Sequence, residues 1–321
     1  METRSPTGDA GGGAGGTAVL FPGQGAQEVG MGRDLAEAFP EAAALFERAD
    51  DVLGVPLRRI CWEGPEEELT RTENAQPALL LHGYVVWSLL PEGLRASTTV
   101  AAGHSLGEFT AYLAAGALGL EDALRLVRRR GELMAASKEG TMAAVLGLDD
   151  EDVGAVCRET DGVVVPANFN APGQVVVSGA ADAVARAVRR AREAGAWRVI
   201  ELDVSGAFHS PLMEVARDGL AEALREVEFR PPAFPVVANA AGRPVEDPEE
   251  ARELLVEQLT SPVRWVAGVE AMRSRGPDRW LELGPGSVLA GLMRRIDRSL
   301  EVTSIGSAED VDEIRREVED G

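Results

Sequence analysis

The chain has 321 residues and a formal net charge of −21, from 53 acidic and 32 basic side chains. So large a negative charge disfavours nucleic acid, whose phosphates would be repelled, and we predict no nucleic-acid partner. No apolar stretch approaches the roughly 20 residues that span a bilayer, and the first residues lack the basic and apolar regions of a secretory signal. We therefore expect a cytoplasmic protein without membrane contact.

The first part of the chain predicts an α/β unit. Residues 1–16 are rich in glycine and are predicted to form a flexible tail, because they cannot bury enough apolar surface to fold. Strands are predicted at residues 18–21 and 98–102, with helical patterns around them. The predicted helices cover residues 31–53, 66–72, 76–90 and 120–137.

The next stretch, residues 141–207, has a different pattern. Short β-branched runs and helical segments alternate there in the order βαββαβ, which is typical of a ferredoxin-like α+β unit. This unit is predicted to interrupt an α/β core made of residues 17–140 and 208–306. Residues 307–321 are acidic and helix-prone with little to pack, and they are predicted to form a tail. The predicted strands of the inserted unit are 142–146, 163–168, 174–178 and 197–202, and its helices are 150–159 and 181–194.

The segment Gly103-His-Ser-Leu-Gly-Glu108 carries the clearest chemical signal. It lies between a predicted strand and a predicted helix, as a nucleophile elbow does, and the flanking glycines permit a tight turn that exposes the hydroxyl of Ser105. The backbone N–H of Leu106 would lie at a helix N-terminus, where an anion is stabilised. This context predicts acyl transfer on serine; the alternative is a serine in an ordinary glycine-rich turn.

A serine nucleophile needs a base, and histidine is the usual one near neutral pH. The chain has three histidines. His82 lies in an apolar helix and is predicted to be structural. His104 adjoins Ser105, where consecutive side chains point apart, so we expect it to support the turn. By elimination His209 is favoured as the base, although an ordinary loop histidine is the alternative.

Several further blocks accompany this motif in a fixed order. Together they resemble the malonyl-CoA:acyl carrier protein transacylases, acyltransferases of fatty-acid and polyketide synthesis. The resemblance covers residues 17 to 304 and implies an α/β hydrolase-like core with a parallel sheet and an inserted ferredoxin-like α+β subdomain. The blocks are residues 21–27 (FPGQGAQ), 103–108 (GHSLGE), 130–131 (RG), 168–174 (NFNAPGQ), 208–210 (FHS), 258–259 (QL) and 282–286 (ELGPG).

The resemblance implies roles for individual residues. Ser105 would carry the acyl group as an ester, and His209 would move its proton. The main-chain carbonyl of Gln258 would orient the imidazole in place of a carboxylate. The backbone N–H groups of Leu106 and Gln24 would form the oxyanion hole, in which one donor contributes about 3 kcal/mol to transition-state stabilisation.

Arg130 is implied to bind the free carboxylate of a malonyl group through two parallel hydrogen bonds. The alternative is that Arg130 is one of three solvated arginines, residues 128–130, on a helix face. Phe208 resembles the aromatic wall of malonyl-loading enzymes, where methylmalonyl-loading domains have a smaller residue; one methyl group is worth about 1–3 kcal/mol there. Other implied substrate-binding positions are Gln258, Asn168, Asn170 and His104.

The resemblance implies a ping-pong transfer from malonyl-CoA, as a substrate, to the phosphopantetheine thiol of acyl carrier protein. We expect a monomer, because nothing in the sequence demands a larger assembly. No cofactor or metal is predicted, and Cys61 and Cys157 lack metal-ligand spacing. Alternatives are a serine thioesterase or hydrolase, a trans-acting polyketide acyltransferase with another acyl preference, and a non-catalytic docking domain. The pathway stays open. Candidates for docking the acidic carrier, or else a solvated helix face, are Arg189, Arg190, Arg192 and Arg198.

Overall fold

The computed structural model describes residues 15–137, 140–204 and 206–320. The strands are β1 (Gly16–Phe21), β2 (Thr98–Gly103), β3 (Thr141–Leu146), β4 (Val164–Ala171), β5 (Gln174–Gly179), β6 (Arg198–Glu201), β7 (Val236–Ala238), β8 (Arg243–Val245), β9 (Pro277–Leu283) and β10 (Val302–Ile305). The first helices are α1 (Arg33–Ala38), α2 (Pro40–Leu53), α3 (Leu57–Glu63), α4 (Glu66–Thr70), α5 (Thr72–Leu89), α6 (Glu92–Ala96), α7 (Gly107–Ala114) and α8 (Leu120–Ala136). They are followed by α9 (Asp150–Arg158), α10 (Ala181–Glu193), α11 (Glu214–Glu226), α12 (Pro248–Glu257), α13 (Trp265–Arg273), α14 (Val288–Ile296) and α15 (Ala308–Asp320), with a 3-10 helix at Pro211–Met213.

The larger sheet has the strand order β10-β9-β1-β2-β7-β8. Its strands are parallel except for β8, which pairs antiparallel with β7 at one edge. The carboxyl ends of β1 and β2 lie side by side, with Phe21 opposite Gly103. In open α/β sheets a crevice at this end of the strands is the usual ligand site.

Both faces of the larger sheet are covered, which is why β1 reads as a continuous apolar run. Successive side chains of a strand point to opposite faces. Val19 and Phe21 accordingly join one buried cluster, and Ala18 and Leu20 join the cluster on the other face. None of the described helices is both long and apolar enough to cross a membrane.

The smaller sheet has the order β4-β5-β3-β6 and is antiparallel throughout. One face packs on α9 and α10 through a separate apolar cluster that includes Val145 and Val188. Backbone hydrogen bonds also join this sheet to the larger unit, from Phe169 N–H to the Val263 carbonyl and from Val263 N–H to the Ala167 carbonyl. The predicted fold class is confirmed by these two sheets, while the domain boundaries stay predictions.

The two cysteines are buried in different clusters. Cys61 lies in the main core and Cys157 in the core of the smaller unit. Burial raises the pKa of each thiol to about 12. Both are therefore protonated at neutral pH and shielded from reagents in solution.

Three sequence predictions need correction or comment. The helix predicted at 31–53 is broken at Phe39, whose backbone is extended because the following Pro40 starts a new helix. The predicted tail at 307–321 contains helix α15, whose Val311 and Ile314 are buried in the main core. Of the tail predicted at 1–16, residues 1–14 lie outside the described residues, and Gly16 begins β1.

The packing of α15 can be tested at Ile314, which is 3% exposed. We expect Ile314→Ala to lower the free energy of unfolding by about 2–5 kcal/mol, because it removes buried methyl groups and leaves a cavity. Glu313→Ala, at an exposed position of the same helix, is the matched control and should change it by about 0.5 kcal/mol or less. Denaturant titrations measure both values; equal, small losses would mean that α15 does not contribute to the core.

Candidate active site

Ser105 lies on a sharp turn between β2 and α7. Its backbone has φ of 50°, in the left-handed region that residues other than glycine rarely adopt. A Cβ on Gly103 would come within 1.8 Å of the Gly107 backbone, and a Cβ on Gly107 within 2.1 Å of the Phe21 carbonyl oxygen. The turn therefore requires glycine at both flanking positions, which explains the motif in physical terms.

Asn239 holds this strained turn in place. The Ser105 N–H donates to Asn239 Oδ1 at 2.6 Å, and Asn239 Nδ2 donates to the Gly103 carbonyl at 2.8 Å. Asn239 directly follows β7, the neighbour of β2 in the sheet. The hydrogen bonds offset part of the roughly 1–3 kcal/mol that a left-handed serine costs.

His209 is in direct contact with the serine. Its Nε2 lies 2.8 Å from Ser105 Oγ, and its Nδ1 lies 2.8 Å from the Gln258 carbonyl oxygen. A carbonyl can only accept, so Nδ1 carries the proton and Nε2 presents a lone pair to the hydroxyl. Burial, and then the charge of Arg130, lower the pKa of His209 to about 3, so the imidazole is neutral at physiological pH.

Arg130 reaches the same hydroxyl from α8 and is 1% exposed. One terminal nitrogen donates to Ser105 Oγ at 3.0 Å and to Gln258 Oε1 at 2.8 Å, and the other donates to Gln76 Oε1 at 2.9 Å. Its Nε has no partner, and no described carboxylate forms an ion pair with it. Burial lowers the pKa of Arg130 to about 10, so the guanidinium stays charged at neutral pH.

A buried cation without a directly paired anion is energetically costly. The neighbouring Arg129 is exposed and Arg128 is partly buried against Asn74, and both pair with Glu132 instead. The guanidinium of Arg130 therefore lies beside the nucleophile without a directly paired anion among the described residues, which suits an incoming carboxylate.

A cleft of about 310 Å³ lies between the two sheets and contains this group. Such a volume suits a small polar acyl group and part of its carrier arm. The N–H groups of Gln24 and Leu106, both at the cleft, have no hydrogen-bond partner among the described residues. Two free donors beside a serine hydroxyl can stabilise an oxyanion.

The structure brings most of the predicted site residues together. His104 contacts Asn170 Oδ1 through Nε2 at 2.8 Å, which ties the nucleophile turn to the smaller sheet. Gln258 lies beneath the cleft and contacts the site through both its carbonyl and its side chain. The predicted residues that line the cleft are Gln24, His104, Ser105, Leu106, Arg130, Asn168, Asn170, Phe208 and His209.

The arginines predicted for carrier docking are placed differently. They lie on the exposed side of α10 or on the edge strand β6, and none lines the cleft. Arg190 pairs with Glu159 at 3.4 Å, as expected of a solvated helix face. A different arginine, Arg295 of α14, donates to Gln174, which does line the cleft. The arginines of the predicted patch are Arg189, Arg190, Arg192 and Arg198.

Glu108, Asn239 and Gln76 belong to the site but were missed by sequence reasoning. Glu108 lies inside the nucleophile motif, and Asn239 is a polar residue directly after a strand of the parallel sheet, so both had a usable signal. Gln76 is fully buried within the apolar helix α5 and had none.

A family model described as acyl transferase domain matches residues 19–320. A relative from Bacillus subtilis (strain 168), named malonyl CoA-acyl carrier protein transacylase, is 42% identical over 302 residues, which are 92% of this chain and 95% of the relative. The chain belongs to the malonyl-CoA:acyl carrier protein transacylase family. The family resemblance and the prediction of an acyltransferase are thereby confirmed.

Solved members of this family have the same fold. A malonyl-transacylase in complex with a type II polyketide acyl-carrier protein is 41% identical with a TM-score of 0.91, over 94% of this chain and 99% of that one. The malonyl-CoA:acyl carrier protein transacylase from Xanthomonas oryzae is 44% identical with a TM-score of 0.89, over 93% and 97%.

The close backbone contact at Gly107 gives a test of the elbow. We expect Gly107→Ala to lower the free energy of unfolding by about 1–3 kcal/mol, because the added Cβ meets the Phe21 carbonyl at 2.1 Å. Gly119→Ala is the control, since Gly119 has φ of −77° and open space around its Cα. If denaturant titrations give the same loss for both variants, the turn does not need glycine at 107.

Proposed function

We propose that the chain transfers a malonyl group from malonyl-CoA to the phosphopantetheine thiol of acyl carrier protein, through an ester on Ser105. One observation carries the proposal: Ser105 Oγ lies 2.8 Å from the base His209 and 3.0 Å from the cation Arg130. A carboxylate bound to this guanidinium places a thioester carbonyl within reach of the hydroxyl, and proximity of this kind is a large part of catalysis.

The first half-reaction acylates the serine. His209 Nε2 takes the Ser105 proton as Oγ bonds to the thioester carbon, and the N–H groups of Gln24 and Leu106 stabilise the resulting oxyanion. The C–S bond then breaks, and His209 returns the proton to the sulfur of departing CoA. In the second half-reaction the carrier thiol gives its proton to His209 and attacks the ester, and Ser105 regains the proton.

Specificity follows from the groups around the hydroxyl. Arg130 favours acyl groups that end in a carboxylate, and Phe208 is 6% exposed and lines the cleft, where it limits the space beside the acyl chain. We therefore propose malonyl over methylmalonyl, with a discrimination of about 1–3 kcal/mol for the extra methyl group.

Among the alternatives, a serine hydrolase fits less well. Nδ1 of His209 is held by a carbonyl rather than the carboxylate of a triad, and a hydrolase of neutral esters has no use for the buried Arg130. A non-catalytic docking domain would not need an assembled nucleophile and base. A preference for another acyl group stays an alternative. The following stay predictions: the carrier partner, the monomeric state, the cytoplasmic location and the absence of a cofactor.

The ester intermediate can be observed directly. Incubation with malonyl-CoA is expected to add one malonyl group to the intact protein, because without an acceptor thiol the acyl group stays on Ser105 after CoA departs. Mass spectrometry of the protein and its peptides should place the adduct at residue 105. Ser105→Ala should abolish it; an adduct that persists in this variant would contradict the proposed nucleophile.

Binding of the malonyl carboxylate by Arg130, called the carboxylate clamp below, can be tested by substitution. We expect Arg130→Ala to reduce the rate of malonyl loading by about 100-fold or more, because about 3 kcal/mol of charge-assisted hydrogen bonding is lost. Loading from acetyl-CoA, which has no carboxylate, should be retained or rise. Arg129→Ala, whose side chain is 52% exposed, is the matched control; equal losses with both acyl groups in Arg130→Ala would contradict the clamp.

A further inference from the structure

Glu108 is a fully buried carboxylate that the proposed reaction does not use. It lies in the first turn of α7, three positions after the nucleophile. Its Oε2 accepts hydrogen bonds from the Asn239 N–H at 3.0 Å and from Gln258 Nε2 at 2.6 Å. Its Oε1 is equally buried and has no partner among the described residues. A buried carboxyl group with one unfilled oxygen calls for a functional explanation.

Gln258 links this carboxyl group to the site. A carboxylate only accepts hydrogen bonds, so Glu108 selects the amide orientation in which Nε2 faces Glu108 and Oε1 faces Arg130. In this orientation Nε2 also donates to the Ser105 carbonyl at 3.0 Å. The main-chain carbonyl of the same glutamine holds His209. Glu108 therefore fixes one residue that contacts the nucleophile, the base and the cation.

Glu108 and Arg130 form a buried pair of opposite charges when no substrate is bound. Above about pH 7, Arg130 is the cation and Glu108 is the anion, and Gln258 joins them. Burial removes the charge of the nearby histidines, since it lowers the pKa of His209 to about 3 and lowers that of His104 as well. Arg130 on α8 and Tyr112 on α7 interact electrostatically with Glu108, and Glu250 on α12 interacts with Tyr112.

A malonyl carboxylate beside Arg130 would change this balance. The buried region would then contain two anions, Glu108 and the malonyl carboxylate, and one cation, Arg130. A second anion in a poorly solvated region favours protonation of the first, here Glu108. Burial already raises the pKa of Glu108 to about 7, against hydrogen bonds from Asn239 and Gln258 and the charge of Arg130, which lower it. The unpartnered Oε1 can take the proton while Oε2 keeps both of its donors.

We propose that Glu108 is a positioning residue that fixes Gln258 and counterbalances Arg130 in the empty site, and that it takes up a proton from the buffer when a malonyl carboxylate binds. This inference rests on the proposed function, because it requires the carboxylate at Arg130. The new O–H bond forms at Oε1, and the buffer acid is the proton source.

The pH profile of substrate preference tests the proposal. Protonated Glu108 favours the malonyl carboxylate, so the ratio of kcat/KM for malonyl-CoA to that for acetyl-CoA should fall as pH rises from 6 to 8.5, at most about tenfold per pH unit. The ratio cancels the titration of CoA and of the catalytic groups, which both substrates share. In Glu108→Gln the amide oxygen can keep both donors without a charge, and the ratio should become independent of pH.

Proton uptake by the unmodified enzyme gives a second measurement, which needs no variant to fold. With a pH indicator in weak buffer at pH 7.5, malonyl loading should take up about 0.5 proton per enzyme, since a group with a pKa of about 7 is already partly protonated there. Acetyl loading should take up none, because the transfer itself is proton-neutral. No difference between the two substrates, or a wild-type ratio independent of pH, would overturn the role of Glu108. If Arg130→Ala also leaves the malonyl preference unchanged, the proposed function fails instead.

Discussion

Among the described residues, two that are not glycine have a positive φ, and these two, Ser105 and His209, are hydrogen-bonded to each other. Each left-handed backbone costs about 1–3 kcal/mol, and such positions persist only where the surroundings determine them. Asn239 and the flanking glycines hold the first, while the Gln258 carbonyl holds the imidazole of the second. The rest of the site depends on this constraint, because a relaxed backbone at either residue would separate the hydroxyl from its base.

The reacting groups could be located from the sequence because few residues were candidates for each role. A glycine-flanked serine between a strand and a helix is a strong local signal, and the chain has only three histidines from which to choose a base. The resemblance added Arg130 and Gln258, whose local sequences carry little information. The structure then shows what the resemblance did not include, which is that the side chain of Gln258 also joins Arg130 to Glu108.

What the sequence did not reveal depends on distant contacts. Glu108 and Asn239 are separated by 131 positions and Glu108 and Gln258 by 150, so no local pattern predicts that they meet. The same reason explains why the packing of α15 on the core was not predicted. Its two buried residues, Val311 and Ile314, are too few to distinguish a docked helix from an acidic tail until the surface that receives them is known. The elements of the inserted unit, by contrast, follow from local alternation alone, and their order was predicted correctly.

The burial of both thiols has a consequence for an enzyme that handles activated acyl groups. Thioesters exchange readily with free thiolates, and an exposed cysteine would compete with oxygen for the acyl chain. Here Cys61 and Cys157 are protonated and inaccessible, so stray acylation on sulfur is suppressed. The same shielding protects both thiols from mild oxidants and from alkylating reagents.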